Sequence, residues 1–233
     1  MLAMSITTKL VWLFLFIGVA LLISFLRDTR AKNKKVIFFG DSLTQAGIQP
    51  GGYIALMKGM LAKQGITGLE LVGAGIGGNK VYDLYLRMQE DVIAQSPGVV
   101  VIWIGVNDVW HKSSHGTGTD ADKFDKFYRA IIKKLLENNI KVMLVTPAVI
   151  GEKNDYGNQQ DDDLDKYSRV IRDIANDMNL PLCDLRALVH LYEVTNNTAN
   201  VDKGILTSDG VHLNEAGNKF VAEEIWKALK DVQ

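Results

Sequence analysis

The sequence predicts an α/β fold: a five-stranded parallel sheet with helices on both faces, giving a three-layer α/β/α sandwich. Three observations carry this. From Val36 onward, short apolar runs alternate with segments of helical periodicity. The run VVVIWIG is apolar throughout, as a strand buried on both faces requires. The composition, 47% hydrophobic and 23% charged over 233 residues, is globular and large enough for one domain with a sizeable core.

The elements follow in order. VIFFG (Val36–Gly40) is a short apolar run closed by glycine, hence a buried strand, and a helix covers Tyr53 to Lys63. LELVG (Leu69–Gly73) is the second strand and Val81 to Ala94 the next helix. Val99–Gly105 is the third strand. Asp120 to Asn138 is the clearest helix, because Phe124, Phe127, Tyr128, Ile131, Ile132, Leu135 and Leu136 recur at i, i+3, i+4 and i+7. Lys141–Pro147 is the fourth strand. Leu164 to Met178 is helical, and Leu180–Asp184 is a short fifth strand. Asn214 caps a final helix running towards Leu229. The polar stretch Asn154–Asp163 reads as a mobile loop.

The first 35 residues are different in kind. Leu10 to Leu26 holds seventeen residues without a charge, the short end of a bilayer-spanning helix. No small-x-small cleavage site clearly follows, so it reads as an uncleaved signal anchor, with a cleaved signal peptide as the second reading. Arg27 to Lys35 is a charged linker, which divides the chain into an anchor and linker (1–35) and a domain (36–233). The basic residues after the span argue for a cytoplasmic domain, whereas a short N-terminal anchor argues for export; the two arguments point opposite ways.

Formal net charge is −1, but six of the 26 basic residues precede Val36, leaving 20 basic against 26 acidic residues in the domain. An acidic domain without a basic stripe argues against nucleic acid as a partner. The single cysteine, Cys183, excludes an internal disulfide and reads as a core residue at a strand end.

In such sheets, ligands bind beyond the carboxyl ends of the strands. Gly40–Gly51, Gly73–Lys80, Gly105–Thr119, Pro147–Gln160 and Leu206–Asn214 are the loops there. The first places Ser42 directly after a strand, in FGDSLT, where it is either a nucleophile or a turn residue. The last, TSDGVHLN, spaces Asp209 and His212 by three, so the carboxylate can hold one ring nitrogen while the other faces outward. Serine needs such a base. Asn107, in IGVND, can aim an amide N–H at a developing oxyanion or close an Asx-turn. GAGIGG contains G-x-G-x-x-G, but it follows the second strand, and no acid stands about 20 residues on as a dinucleotide site needs. Gly78 suits an oxyanion donor instead, at the start of a helix where N–H groups are unpaired.

Taken in order, GDSLT, GAGIGG, GVND and DGVHLN resemble the four blocks of the SGNH (GDSL-type) hydrolase superfamily. The resemblance spans nearly the whole chain after Val36. It implies a flavodoxin-like sandwich that cleaves carboxylic esters through an acyl-enzyme without metal or cofactor. It further implies Ser42 as nucleophile, His212 as base and then acid, and Asp209 orienting His212. The oxyanion donors would be the backbone N–H groups of Ser42 and Gly78 and the Asn107 side chain. One departure stands out: the second block commonly begins with asparagine, where this chain has Gly73.

Asp41 and Asp108 flank these positions and read as loop-bracing residues. Trp110 and His111 read as lining the substrate entrance; Trp110 reads equally as packing under the loop. His111 and His115 are spaced as a metal pair, but no H-E-x-x-H glutamate accompanies them. Asn196-Asn197-Thr198 is a glycosylation sequon, meaningful only on an exported eukaryotic chain. Within this class the substrate is open: the uncharged N-terminal stretch suggests lipid or lysophospholipid esters, and deacetylation of carbohydrates is an equal reading, with a lysophospholipase- or thioesterase-type lipolytic enzyme as the alternative. The readings from other classes are a dinucleotide-binding oxidoreductase and a non-catalytic membrane-bound module.

Overall fold

The structure, a computed structural model, describes residue 12, residues 15–19 and residues 34–232. The chain divides into two units, residues 1–33 and 34–233. In the first, Trp12 and residues 15–19 are helical and exposed. Most of the expected anchor (10–26) and of the linker lies outside the described residues. Among the described residues, no helix is long and apolar enough to cross a membrane.

In the second unit five strands form one sheet: β1 (Lys35–Gly40), β2 (Glu70–Gly75), β3 (Val99–Trp103), β4 (Lys141–Val145) and β5 (Leu182–Cys183). Their order is β2-β1-β3-β4-β5 and every pairing is parallel. The chain passes from β1 outward to β2, then back across β1 to β3. The strand order therefore reverses between β1 and β3, the position beyond whose carboxyl edge ligands bind in sheets of this kind.

Side chains alternate along each strand, so the sheet feeds two cores. Val36, Phe38, Val99, Val101, Trp103, Met143 and Val145 face one side. There they meet α2 (Tyr53–Lys63), α7 (Leu185–Asn196) and α8 (Glu215–Leu229). Ile37, Phe39, Val100, Ile102, Val142 and Leu144 face the other, against α3 (Val81–Asp91), α5 (Ala121–Glu137) and α6 (Asp161–Asp177). Two helical layers explain why the central strands read as unbroken apolar runs.

Several boundaries differ from expectation. β2 extends to Gly75, which puts Gly73 inside the strand, paired with Phe38. β5 is two residues long because it is an edge strand held by β4 alone. The loops after β1 and β3 contain short helices, α1 (Ser42–Gly47) and α4 (Val106–Ser114). Asp161–Asp163 form the first turn of α6, where their charge favours the helix N-terminus. The rest of the expected mobile loop is tied down, with Asn154 Nδ2 bonded to the Asn197 carbonyl at 2.8 Å and Asn158 to the Asp161 carboxylate at 3.0 Å.

α7 was not foreseen, although Leu185, Leu188, Val189 and Tyr192 follow the helical spacing and Asp184 caps it. It carries Glu193, which is 1% exposed. Burial first, and then the nearby Glu152 carboxylate, push its carboxyl up to about 8 from 4.5. The folded chain therefore holds this proton more tightly than the unfolded chain. The associated stability is complete below pH 4.5 and is lost as pH rises to about 8. Glu193→Gln, which mimics the neutral form, should melt progressively higher than wild type from pH 5 to 8, with a constant gap above that. Parallel Tm–pH curves for the two proteins would refute this.

Candidate active site

Ser42 is the first residue of α1, directly beyond β1. Asp41 caps the helix by accepting from the Leu43 N–H at 3.0 Å. As a first-turn group, the Ser42 N–H has no intrahelical partner, and it meets no acceptor among the described residues. Its Oγ lies 3.1 Å from His212 Nε2, although 170 residues separate the two.

His212 sits in a tight loop closed by the Thr207–Leu213 bridge and by the Ser208 N–H donating to the His212 carbonyl at 2.8 Å. Asp209 organises that loop. Its Oδ1 accepts from the Val211 and His212 N–H groups at 3.0 and 2.8 Å, and its Oδ2 lies 2.8 Å from His212 Nδ1. Burial opposes the charge on Asp209. The hydrogen bonds from the His212 ring and from the two backbone N–H groups outweigh it and hold the carboxyl below the usual range. A carboxylate only accepts, so Nδ1 carries the proton and Nε2 is left to accept from Ser42. Such a series can take a proton from the hydroxyl while the carboxylate balances the resulting imidazolium.

Between β2 and α3 the chain makes a turn containing Gly78. The expectation that Gly78 opens the helix is corrected: α3 starts at Val81, and Gly78 has φ +76°, outside helical conformation. A turn, not a helix end, leaves its N–H without an acceptor among the described residues. A side chain there would be strained, and its Cβ would lie 3.8 Å from the His111 ring. Gly75 allows a close approach, since a Cβ would come within 2.2 Å of the Gln45 nitrogen. At Gly73, a Cβ would fall 2.3 Å from Ile48 Cγ2, so Ile48 fills the space that a larger residue there would need.

Asn107, in the first turn of α4, is 3% exposed. Its Nδ2 donates to the Asn79 carbonyl at 3.1 Å, which uses one of two N–H groups. Asp108 accepts from the Val81 N–H at 3.2 and 3.3 Å and so joins α4 to the start of α3. Burial pushes Asp108 up to about 6 and Asp41 up to about 7, against the hydrogen bonds each accepts. The Trp110 ring lies 6.2 Å from the His212 ring. The His111 ring lies 4.4 Å from the His115 ring, tilted by 50°; burial, then Lys80 and His115, lower the His111 pKa. Among the described residues, no group of three or more His, Cys, Asp or Glu is placed to hold a metal ion. Cys183 is buried in the core, and burial raises its thiol to about 12.

The structure thus gathers Ser42, Asp209, His212, Gly78 and Asn107 at one sheet edge, with Trp110 and His111 beside them. Sequence reasoning missed three residues that support this group. Gln45 Oε1 accepts from the Gly77 N–H at 2.8 Å. The Arg87 guanidinium donates to the Asn79 side chain and to the Gly40 and Ala74 carbonyls, at 2.7, 2.7 and 3.0 Å. Glu152 binds the loop that leads to Asp209. Arg87 is 14% exposed on α3, and no local sequence pattern marks it.

A parallel sheet with a hydroxyl, an imidazole and a carboxylate in series at its switch point has the form of a serine-type hydrolase. The family model for the GDSL-like lipase/acylhydrolase family matches residues 38–220. The crystal structure of an acetyl xylan esterase, AlAXEase, superposes with TM-score 0.83 at 61% identity, covering 84% of this chain and 99% of that one. An acetylxylan esterase of Geobacillus stearothermophilus is 33% identical over 219 residues, 84% of this chain and 94% of the relative. An isoamyl acetate-hydrolyzing esterase 1 homolog of Rattus norvegicus is 24% identical over 84% of this chain and 81% of its own length. The chain belongs to the GDSL-like lipase/acylhydrolase family, within the SGNH hydrolases, and is an ester-cleaving hydrolase.

Proposed function

We propose that the protein removes acetyl groups from acetylated sugars through an acetyl-enzyme on Ser42. The observation that carries the mechanism is the Ser42–His212–Asp209 series, at 3.1 and 2.8 Å. Ser42 Oγ attacks the ester carbonyl as His212 Nε2 takes its proton. The tetrahedral oxyanion is met by the N–H groups of Ser42 and Gly78 and by the free N–H of Asn107. His212 then protonates the departing sugar oxygen, leaving Ser42 acetylated. Water, deprotonated by the same nitrogen, attacks the acetyl-enzyme and restores the serine. Asp209 keeps Nδ1 protonated throughout and balances the imidazolium.

The identity to acetyl xylan esterases over 84% of the chain supports acetylated xylo-oligosaccharides as the substrate class. Trp110 and His111, beside His212 and Gly78, supply ring surfaces against which a sugar can pack. The uncharged stretch 10–26 supports a membrane tether for this domain. The same stretch motivates the second reading, a lipolytic enzyme acting on lysophospholipids. A series of acyl esters from acetyl to decanoyl, run beside acetylated xylo-oligosaccharide and lysophospholipid, separates the two. The expected result is that kcat/KM is highest for acetyl and falls with each added length, with deacetylation of the oligosaccharide. A rise towards decanoyl would overturn the sugar reading.

A further inference from the structure

Glu152 lies in the loop after β4 and is 0% exposed. Its carboxylate accepts from three consecutive backbone N–H groups: Ile205 on Oε2 at 2.8 Å, and Leu206 and Thr207 on Oε1 at 2.6 and 2.7 Å. Each of these bonds comes from a main-chain N–H, so backbone dipoles face both carboxyl oxygens. Two main-chain bonds run alongside: Glu152 N–H to the Asp202 carbonyl at 2.9 Å and Gly151 N–H to the Gly210 carbonyl at 2.8 Å. The Asn197 side chain holds the Glu152 carbonyl at 2.6 Å.

The segment held in this way leads directly into the site. Thr207 Oγ1 accepts from the Gly210 N–H at 3.0 Å, and Thr207 pairs with Leu213 across the turn that carries Asp209 and His212. The Leu206 carbonyl accepts from the Asn214 N–H at 3.0 Å, where α8 begins. A carboxylate that fixes three successive peptides sets both height and direction for the next few residues. Ser42, Gly78 and Asn107 sit on other loops, so the histidine half of the site has an anchor of its own.

We propose that Glu152 is a positioning residue for catalysis: its carboxylate, by clamping the N–H groups of Ile205, Leu206 and Thr207, sets the His212–Asp209 pair against Ser42. This rests on the assignment of Ser42, Asp209 and His212 above. Glu152→Gln is the sharp test, because the amide keeps the shape but offers one acceptor oxygen and turns an N–H donor towards an N–H donor. Its kcat on an acetyl ester should fall about 10- to 100-fold, the scale of a misplacement near 1 Å, with KM little changed. The fraction of enzyme titrated by a fluorophosphonate should stay at one per chain. A merely structural role would lower the titrated fraction and leave the kcat of each titrated site unchanged.

Hydrogen exchange should quicken in residues 202–214 and not across the sheet. If Glu152→Gln fails to fold, Glu152→Asp keeps a carboxyl group on a shorter stem, and the same kcat loss per titrated site is expected with KM little changed. Wild-type kcat in the folded variant would overturn the proposal, as would uniformly faster exchange. Ser42→Ala and Asp209→Asn are measured in parallel. If these keep activity, the site assignment fails; if they lose it while Glu152→Gln does not, only the Glu152 inference fails.

Discussion

Replacing Ser42 by alanine should lower kcat on an activated acetyl ester by about 10⁶-fold, the loss seen when a serine-hydrolase nucleophile is removed. The fold should be untouched, since the Ser42 hydroxyl contacts only His212 among the described side chains, and alanine suits the first turn of a helix. Residual turnover would come from the oxyanion donors and binding alone. Kinetics on protein with an unchanged circular dichroism spectrum, together with labelling by a fluorophosphonate probe, give the readout. Labelling that survives the substitution, or activity within tenfold of wild type, would remove Ser42 from the mechanism.

Asp209→Asn should lower kcat by roughly 10⁴-fold, as the same swap does in a serine-protease triad. The reason lies in donors and acceptors rather than in charge alone. The asparagine Oδ1 can still accept from the Val211 and His212 N–H groups, so the turn survives. Its NH2 group, however, takes the place of Oδ2 at 2.8 Å from Nδ1 and presents a donor. That stabilises the tautomer protonated on Nε2, which cannot accept the serine proton. Asp209→Ala would lose the turn as well as the tautomer and is the less informative variant. The check is kcat measured together with KM. A kcat within tenfold of wild type would show that Asp209 does not control the imidazole.

How much of this was legible in the chain depends on the range of the interaction involved. β1, β3 and β4 were readable because strands covered on both faces must be apolar at every position. α5 was readable because one buried stripe imposes its period. Asp209 and His212 were readable as a pair because a three-residue spacing suffices for the contact. α1 and α4 were not, because Ser42, Asn107 and Asp108 are turn-formers by local preference. Their helices exist because Asp41 caps one and Asp108 ties the other to Val81. Gly78 was placed in the wrong element, at a helix start rather than in a turn, since φ is not written in composition. Arg87 and Glu152 left no pattern. Their partners are backbone groups 47 and 53 to 55 residues away in the case of Gly40 and of Ile205 to Thr207, and a backbone N–H or carbonyl looks the same in every sequence.

The sequence by itself determined the layering of the fold and offered the candidate reacting groups, because periodicity and side-chain chemistry are local properties of a chain. The tertiary structure decided which of those groups meet. Only the reversal of strand order at β1 and β3 brings Ser42 to the carboxyl edge beside a loop 170 residues on. Polar contacts without a sequence signature hold the glycine turn and the histidine loop where they stand.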